Sequence, residues 1–321
     1  MSWKMIKALV TGGAGFIGSH VVDAYLAEGL EVVIVDDLSR GKRENISPRA
    51  RFYQVDIRDR MALESVFAQE RPDFVSHQAA QMDVRRSVRE PIFDAQCNIL
   101  GSINVLDLAV RHRCRRVVYA SSGGAVYGEP KVLPANEEMP LRPLAPYGIS
   151  KHTVEHYLFN YRHLYDLTFV VLRYGNVYGP RQSSKGEAGV VAIFAEQIMT
   201  GVTPTIYGDG SKTRDYVEVS DVARANVQAL NFGDHQIFNI ATGLPTADYQ
   251  LFAHVREAFG VASLVPKYAP FRPSEVNHIH LDVSKAKSGL DWEPQVRIDD
   301  GIRRTVEWFL KHGGWKTTSD D

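Results

Sequence analysis

Thr11-Gly12-Gly13-Ala14-Gly15-Phe16-Ile17-Gly18 is the stretch whose reading decides the fold of this chain. An apolar run, Ala8-Leu9-Val10, precedes it, and a helix is expected to start inside it. Gly12, Gly15 and Gly18 fall at the spacing G-x-x-G-x-x-G. A residue without a Cβ permits positive φ and lets a bound group lie close against the backbone. The helix that follows offers free N–H groups and the positive end of its dipole, which together favour a phosphate. Strand, glycine turn and helix in that order predict a dinucleotide-binding unit rather than an ordinary tight turn.

Working outward, a second apolar run, Val32-Val33-Ile34-Val35, ends at Asp36 and reads as a buried parallel strand. A carboxylate there accepts hydrogen bonds from the adenosine ribose hydroxyls and repels a 2′-phosphate, which favours NAD over NADP. Arg40, Lys42 and Arg43 follow closely. They are read as solvating a loop, because the acid sits nearer the ribose.

The chain has 321 residues, 44% hydrophobic and 23% charged, with a net charge of −1. That suits one large α/β domain or two lobes of a globular protein, and it gives no general pull toward nucleic acid or anionic membrane. No apolar run approaches the ~18 residues of a membrane span. The first seven residues lead straight into a strand, so no signal peptide is expected. Cys97 and Cys114 are the only cysteines, which makes no disulfide framework and fits a reducing cytoplasm.

Strand-like runs recur at Lys7–Val10, Glu31–Val35, Phe52–Val55, Asp73–Ser76, Arg116–Tyr119 and Thr168–Leu172, most of them separated by helix-length amphipathic segments. This predicts a doubly wound parallel α/β sheet of Rossmann type with six strands and right-handed crossovers. After about residue 176 Gly and Pro become frequent. Residues 1–175 and about 216–245 are assigned to the dinucleotide-binding domain, with Ser220–Asn231 a helix returning to it. Residues of about 176–215 and 246–313 are assigned to a smaller C-terminal α/β substrate lobe, and 314–321 to a polar tail.

The second signal is Tyr147-Gly148-Ile149-Ser150-Lys151. Tyr147 and Lys151, four apart, share one helix face. An ammonium beside a phenol stabilises the phenolate, so such a tyrosine can take a proton from a sugar hydroxyl near neutral pH. Upstream, the run Arg116–Tyr119 ends at Ser121-Ser122, where open α/β sheets place their ligands. His77 reads as a packed or cofactor-side histidine. His152, His156 and His163 read as surface rather than metal ligands, and no metal site is expected. The arginine clusters at 85, 86 and 89 and at 111, 113, 115 and 116 lack interleaved aromatics and read as solvated faces or ion pairs, not a nucleic-acid surface.

Taken together these motifs resemble the extended short-chain dehydrogenases/reductases, and within them the nucleotide-sugar epimerases similar to UDP-glucose 4-epimerase. The resemblance runs from Lys7 to about Leu310. It also rests on Asp56-Ile57, His77-Gln78-Ala79-Ala80, Ser121–Gly128, Arg173–Arg181 and Tyr207-Gly208-Asp209-Gly210 with Arg214-Asp215-Tyr216. It implies NAD contacts at Gly12, Gly15, Phe16, Ile17, Gly18, Asp36, Asp37, Gln78, Ala79 and Ala80. Asp56 and Ile57 would flank the adenine, and Asn98 and Tyr174 would lie near the nicotinamide. It implies Tyr147 as the base, Lys151 as its partner and a ribose ligand, and Ser122 as the helper hydroxyl, with Ser121 the alternative. It implies Asn176, Arg214 and Arg272 on the substrate phosphates, Glu275 on the nucleotide ribose, and Val190 and Phe194 near the uracil. A homodimer through the helices around Asn98–Arg111 and Ser150–Tyr165 is a further implication.

The implied reaction inverts C4 of a UDP-hexose through a transient 4-keto sugar, with NAD unchanged overall. The neighbouring reactions of the family fit less well. A nucleotide-sugar 4,6-dehydratase would carry an Asp-Glu pair, and a UDP-glucuronate decarboxylase a Glu, where this chain has Gly123-Gly124. A silent dinucleotide-binding protein would be expected to lose Tyr147 or Lys151. The chain departs from the family's Arg-x-Gly-acid pattern at Arg272-Pro273-Ser274-Glu275 and carries one extra residue in the turn after Ser122.

Overall fold

The computed structural model describes residues 6–184, 189–271 and 276–312. The strands are β1 (Lys7–Thr11), β2 (Glu31–Asp36), β3 (Arg51–Gln54), β4 (Phe74–His77), β5 (Arg116–Ser122), β6 (Phe169–Tyr174), β7 (Asn176–Tyr178), β8 (Thr205–Tyr207), β9 (Thr213–Glu218), β10 (Gln236–Ile240), β11 (Pro245–Ala247) and β12 (Lys267–Ala269). The α-helices are α1 (Phe16–Ala27), α2 (Arg60–Glu70), α3 (Val84–Arg89), α4 (Pro91–Ala95), α5 (Gly101–Arg111), α6 (Gly123–Val126), α7 (Pro146–Tyr165), α8 (Val190–Met199), α9 (Val219–Gln228), α10 (Asp248–Ala258), α11 (Ser284–Leu290) and α12 (Ile298–His312).

Seven strands form one parallel sheet in the order β10-β6-β5-β4-β1-β2-β3. Side chains alternate across its plane. Ala8, Val10, Val32, Ile34, Val170 and Leu172 pack on one face with α1, α9 and α11 through Val21, Val222 and Leu290. Leu9, Val33, Val35, Val75, Val117 and Val171 pack on the other with α2, α5 and α7 through Phe67, Val105 and Leu158. Helices on both faces account for the near-continuous apolar runs of the sequence.

Two expectations are corrected. The sheet has a seventh strand, β10, which pairs with β6 beyond the six expected. Gln236 opens it and Asn239 interrupts its apolar run, which hid the strand in the sequence. In addition, β5 continues beyond the expected run Arg116–Tyr119 through Ser121 and Ser122. Ser122 is laterally paired with Tyr174 at the end of β6.

A second layer begins directly after β6. β7, β9 and β11 form a small mixed sheet, and β8 pairs with β12. A separate core of Tyr178, Phe194, Tyr216, Leu251, Phe252, Ile302 and Val306 joins this sheet to α8, α10 and α12. Among the described residues no helix is long and apolar enough to cross a membrane.

Candidate active site

Because the large sheet is parallel, the C-terminal ends of β1, β2, β4, β5 and β6 lie along one edge, where such sheets hold ligands. At β1 the glycine turn folds back on its neighbours. Gly12 has φ +70°, and a Cβ there would sit 2.7 Å from the Ala79 nitrogen after β4. A Cβ on Gly18 would overlap the Gly12 carbonyl, so α1 packs against the turn only because position 18 is glycine. Gly15 is the N-cap of α1 and no side chain caps it, which leaves the first-turn N–H groups for an anion. Phe16 and Ile17 open the helix, half-buried.

Asp36, at the end of β2, is tied to that turn. Its Oδ2 accepts from the Ala14 N–H at 3.0 Å and its Oδ1 from the Leu38 N–H at 2.9 Å. Burial raises its pKa above the usual carboxylate value, against the pull of those N–H groups. The remaining lone pairs suit the two hydroxyls of a ribose, so the turn and this acid fit NAD. Asp37 is exposed and accepts from the Ser39 N–H and hydroxyl. Asp56 is clamped by Arg58, at 2.9 Å and 3.0 Å from Nε, which holds its pKa down. Asp56 lines a shallow pocket with Arg58, Gln96, Leu100 and Asn104, while Ile57 is buried beneath Gly101.

Proline at the first position of α7 sets the helix start, and Tyr147 follows it. Lys151 lies one turn on and is buried. Its Nζ donates to the Ala120 carbonyl of β5 at 2.7 Å and stands 5.0 Å from the Tyr119 ring and 5.9 Å from the Tyr147 ring. Burial pushes its pKa down to about 8, and the carboxylates of Asp94 and Glu155 oppose that fall. The two serines of β5 differ. Ser121 is buried and donates to Glu155 Oε1 at 2.6 Å, whereas Ser122 is partly exposed at the sheet edge.

Gln78 and Tyr174 meet in a neutral cluster. The Tyr174 hydroxyl lies 3.3 Å from Gln78 Oε1 and accepts from Asn226 Nδ2 at 2.8 Å, while Gln78 Nε2 reaches Ser76 and Asn226 at 2.9 Å each. Burial pushes the Tyr174 phenol up to about 12. Ala79 and Ala80 follow in the same loop, and the Ala79 N–H donates to the Thr11 hydroxyl at 3.2 Å. Asn98 lies in a π-helical turn and brackets Gln81, accepting its N–H at 2.8 Å and donating to its carbonyl at 2.9 Å. His77 is a packed histidine between the Thr11 and Ser102 hydroxyls, and burial pushes its pKa down to about 3.

On the second layer, Asn176 starts β7, and a Cβ on Gly124 would lie 3.4 Å from its Oδ1, so the turn after Ser122 abuts it. Arg214 stands on β9 with Nη1 on the Thr213 and Asn277 carbonyls at 2.9 Å and 3.2 Å. Val190 begins α8, and Phe194, one turn on, is buried in the second-layer core. Arg272 and Glu275 lie outside the described residues.

Residues 8–241 match the model of the NAD dependent epimerase/dehydratase family. The chain belongs to that family. It is 46% identical over 301 residues to a putative UDP-glucose 4-epimerase of Methanocaldococcus jannaschii, covering 94% of this chain and 97% of the relative. Among solved structures it resembles the UDP-glucose 4-epimerase of Thermotoga maritima with UDP-glucose (TM-score 0.93, 47% identity, 95% of this chain and 99% of that one). It also resembles the Thermus thermophilus UDP-glucose 4-epimerase complexed with NAD (TM-score 0.90, 45% identity, 96% and 100%).

Some buried polar residues near this edge escaped the sequence reading. Asp94, Glu155 and Asn226 are 0%, 2% and 0% exposed and sit on α4, α7 and α9. Their signal was available only as polar residues on faces that the helical period turns inward. Arg173 stood within a quoted motif without a role. It pairs with Glu155 through Nη2 at 2.6 Å and Nε at 3.0 Å, and donates to the Tyr127 hydroxyl at 2.9 Å. His152 and His156 meet on α7, and among the described residues no three His, Cys, Asp or Glu side chains are grouped to hold a metal.

Proposed function

We propose that this chain is a UDP-glucose 4-epimerase that uses NAD, with Tyr147 as acid and base, Lys151 as its partner and Ser122 as the helper hydroxyl. The observation that carries the reading is the Lys151 ammonium, anchored on Ala120 and held beside the Tyr147 ring at the ligand-binding edge of the sheet. An ammonium in that place favours the phenolate, which takes the proton of the sugar 4-hydroxyl and returns it later. Bound NAD supplies acceptance and return of the C4 hydrogen with its electron pair. Ser122 is preferred to Ser121 because the Ser121 hydroxyl is already committed to Glu155.

The glycine turn at 12, 15 and 18, with Phe16 and Ile17, holds the cofactor pyrophosphate. Asp36 and Asp37 hold the ribose, and Asp56 and Ile57 flank the adenine. Gln78, Ala79, Ala80, Asn98 and Tyr174 line the nicotinamide side. Asn176, Arg214 and Arg272 bind the UDP phosphates, Glu275 its ribose, and Val190 borders the uracil. In this division residues 1–175 with about 216–245 carry the cofactor, and about 176–215 with 246–313 carry the sugar nucleotide. The protein is further proposed to be a cytoplasmic homodimer. Its two cysteines are free, and Leu100, Phe159, Leu164 and Tyr165, within the two segments expected to pair, are exposed apolar side chains that a second copy would cover.

The test incubates the purified protein, with NAD, separately with UDP-glucose, UDP-N-acetylglucosamine, UDP-glucuronate and dTDP-glucose. Products are separated by chromatography. UDP-galactose from UDP-glucose is the expected outcome; a 4-keto-6-deoxy product, or no turnover of any of the four, overturns the proposal.

A further inference from the structure

Asp94 is a carboxylate with no exposed surface, brought into the interior by the short helix α4. Its Oδ2 accepts from the Ser150 hydroxyl at 2.6 Å. Its Oδ1 accepts from Asn98 Nδ2 at 2.9 Å and from Gln81 Nε2 at 3.1 Å. All of these donors are uncharged, so among the described residues the buried negative charge has no hydrogen-bonded cation. Burying a carboxylate on such terms is costly unless a positive charge stands near. Ser150 immediately precedes Lys151 on α7, and Asn98, expected near the nicotinamide, also brackets Gln81.

We infer that Asp94 is a positioning residue for the reaction, fixing Tyr147 and Lys151 through Ser150 and supplying the counter-charge that keeps Lys151 an ammonium. The inference rests on the reading of Tyr147 and Lys151 given above. The groups around Lys151 leave this task to Asp94. β5 presents the Ala120 carbonyl and the Tyr119 ring, neither of them charged. β4 presents His77, whose burial keeps it neutral near pH 7. α7 presents Tyr147 and Glu155, and Glu155 is already paired with Arg173. Of the charges opposing the loss of the Lys151 proton, Asp94 contributes most.

Asp94→Asn retains the shape of the side chain and removes its charge; its oxygen can still accept from Asn98 and Gln81, while its NH2 faces the Ser150 hydroxyl, which must turn from donor to acceptor. On the enzyme with NAD, kcat is expected to fall about tenfold, the factor that one pKa unit represents, with KM nearly unchanged. The alkaline limb of the kcat–pH profile should move toward lower pH, because Lys151 gives up its proton more easily. NMR of isotope-labelled tyrosine supplies a readout independent of turnover. The Tyr147 phenol, identified by its loss in Tyr147→Phe, should titrate at higher pH in Asp94→Asn than in the parent. An unmoved pH limb and an unmoved Tyr147 titration in a folded Asp94→Asn protein overturn the inference. Should that variant not fold, Ser150→Ala decides: a kcat loss restored by Ser150→Thr supports the link, and an unchanged kcat overturns it. Tyr147→Phe separates the two readings, since turnover by that variant sinks the assignment of the base, whereas an inactive Tyr147→Phe with an unshifted Asp94→Asn sinks only the role of Asp94.

Discussion

Asp94 and Glu155 are both buried carboxylates close to Lys151, yet the protein compensates them in opposite ways. Glu155 meets Arg173 in a two-pronged ion pair and also accepts from Ser121. His152, with Nδ1 3.7 Å from Oε2, and the Arg173 pair hold its pKa below the usual value despite burial, and the pair raises that of Arg173 still further above the ordinary range. Asp94 is held by Ser150, Asn98 and Gln81, which bring partial charge only. Both acids act on Lys151, Asp94 more than Glu155, whose charge is offset in part by Arg173. A third cluster, Tyr174 with Gln78, Asn226 and Ser76, is neutral throughout. The comparison teaches that burial and hydrogen-bond number do not decide whether an acid serves stability or chemistry. What decides is whether a cation already neutralises it.

The largest effect expected is that of Tyr147→Phe, which removes the group on which both carboxylates are supposed to bear. Turnover should drop about a thousandfold while UDP-glucose still binds by calorimetry; near-parent turnover would dissolve the comparison altogether. Next comes Arg173→Ala, which strands Glu155 as an unpaired buried charge. It should cost about 3–5 kcal/mol of stability in urea unfolding and, by uncovering the Glu155 charge near Lys151, move the alkaline limb of the kcat–pH profile toward higher pH, opposite to Asp94→Asn. A shift of that limb matching that of Asp94→Asn would erase the distinction between the two acids. Tyr174→Phe probes the neutral cluster and should cost only about 1 kcal/mol, read as a small fall in melting temperature.

A pH-dependent effect concerns His77. Its folded pKa of about 3 lies below its ordinary value of 6.5. Between those values the unfolded chain binds a proton that the folded one does not, so stability rises with pH through this window. The contribution is complete above about 6.5 and is lost as the pH falls toward about 3. His20, pushed down to about 4 by burial, adds to the same slope. Urea midpoints measured across this range should climb with pH, and His77→Gln should flatten the climb without removing it.

The glycine turn, Asp36 and the Tyr147–Lys151 spacing were legible in the sequence because each is a local rule. A turn with no room for a Cβ, an acid at a strand end and two side chains one helical turn apart are all written within a few neighbouring residues. The alternation of apolar strands and helices fixed the parallel sheet for the same reason, although Asn239 concealed β10. The extension of β5 through Ser122 was less legible, since a Ser-Ser-Gly-Gly run reads as a turn until the β6 partner Tyr174 is in place. By itself, then, the chain determined its fold class, the glycine turn tied to Asp36, and the one-turn spacing of Tyr147 and Lys151 on α7. Only the tertiary structure decided which of Ser121 and Ser122 is committed elsewhere, and that Asp94 and Glu155, 61 positions apart, converge on the same lysine. Charge compensation in a buried site is set by distance through space, and no spacing along the chain encodes it.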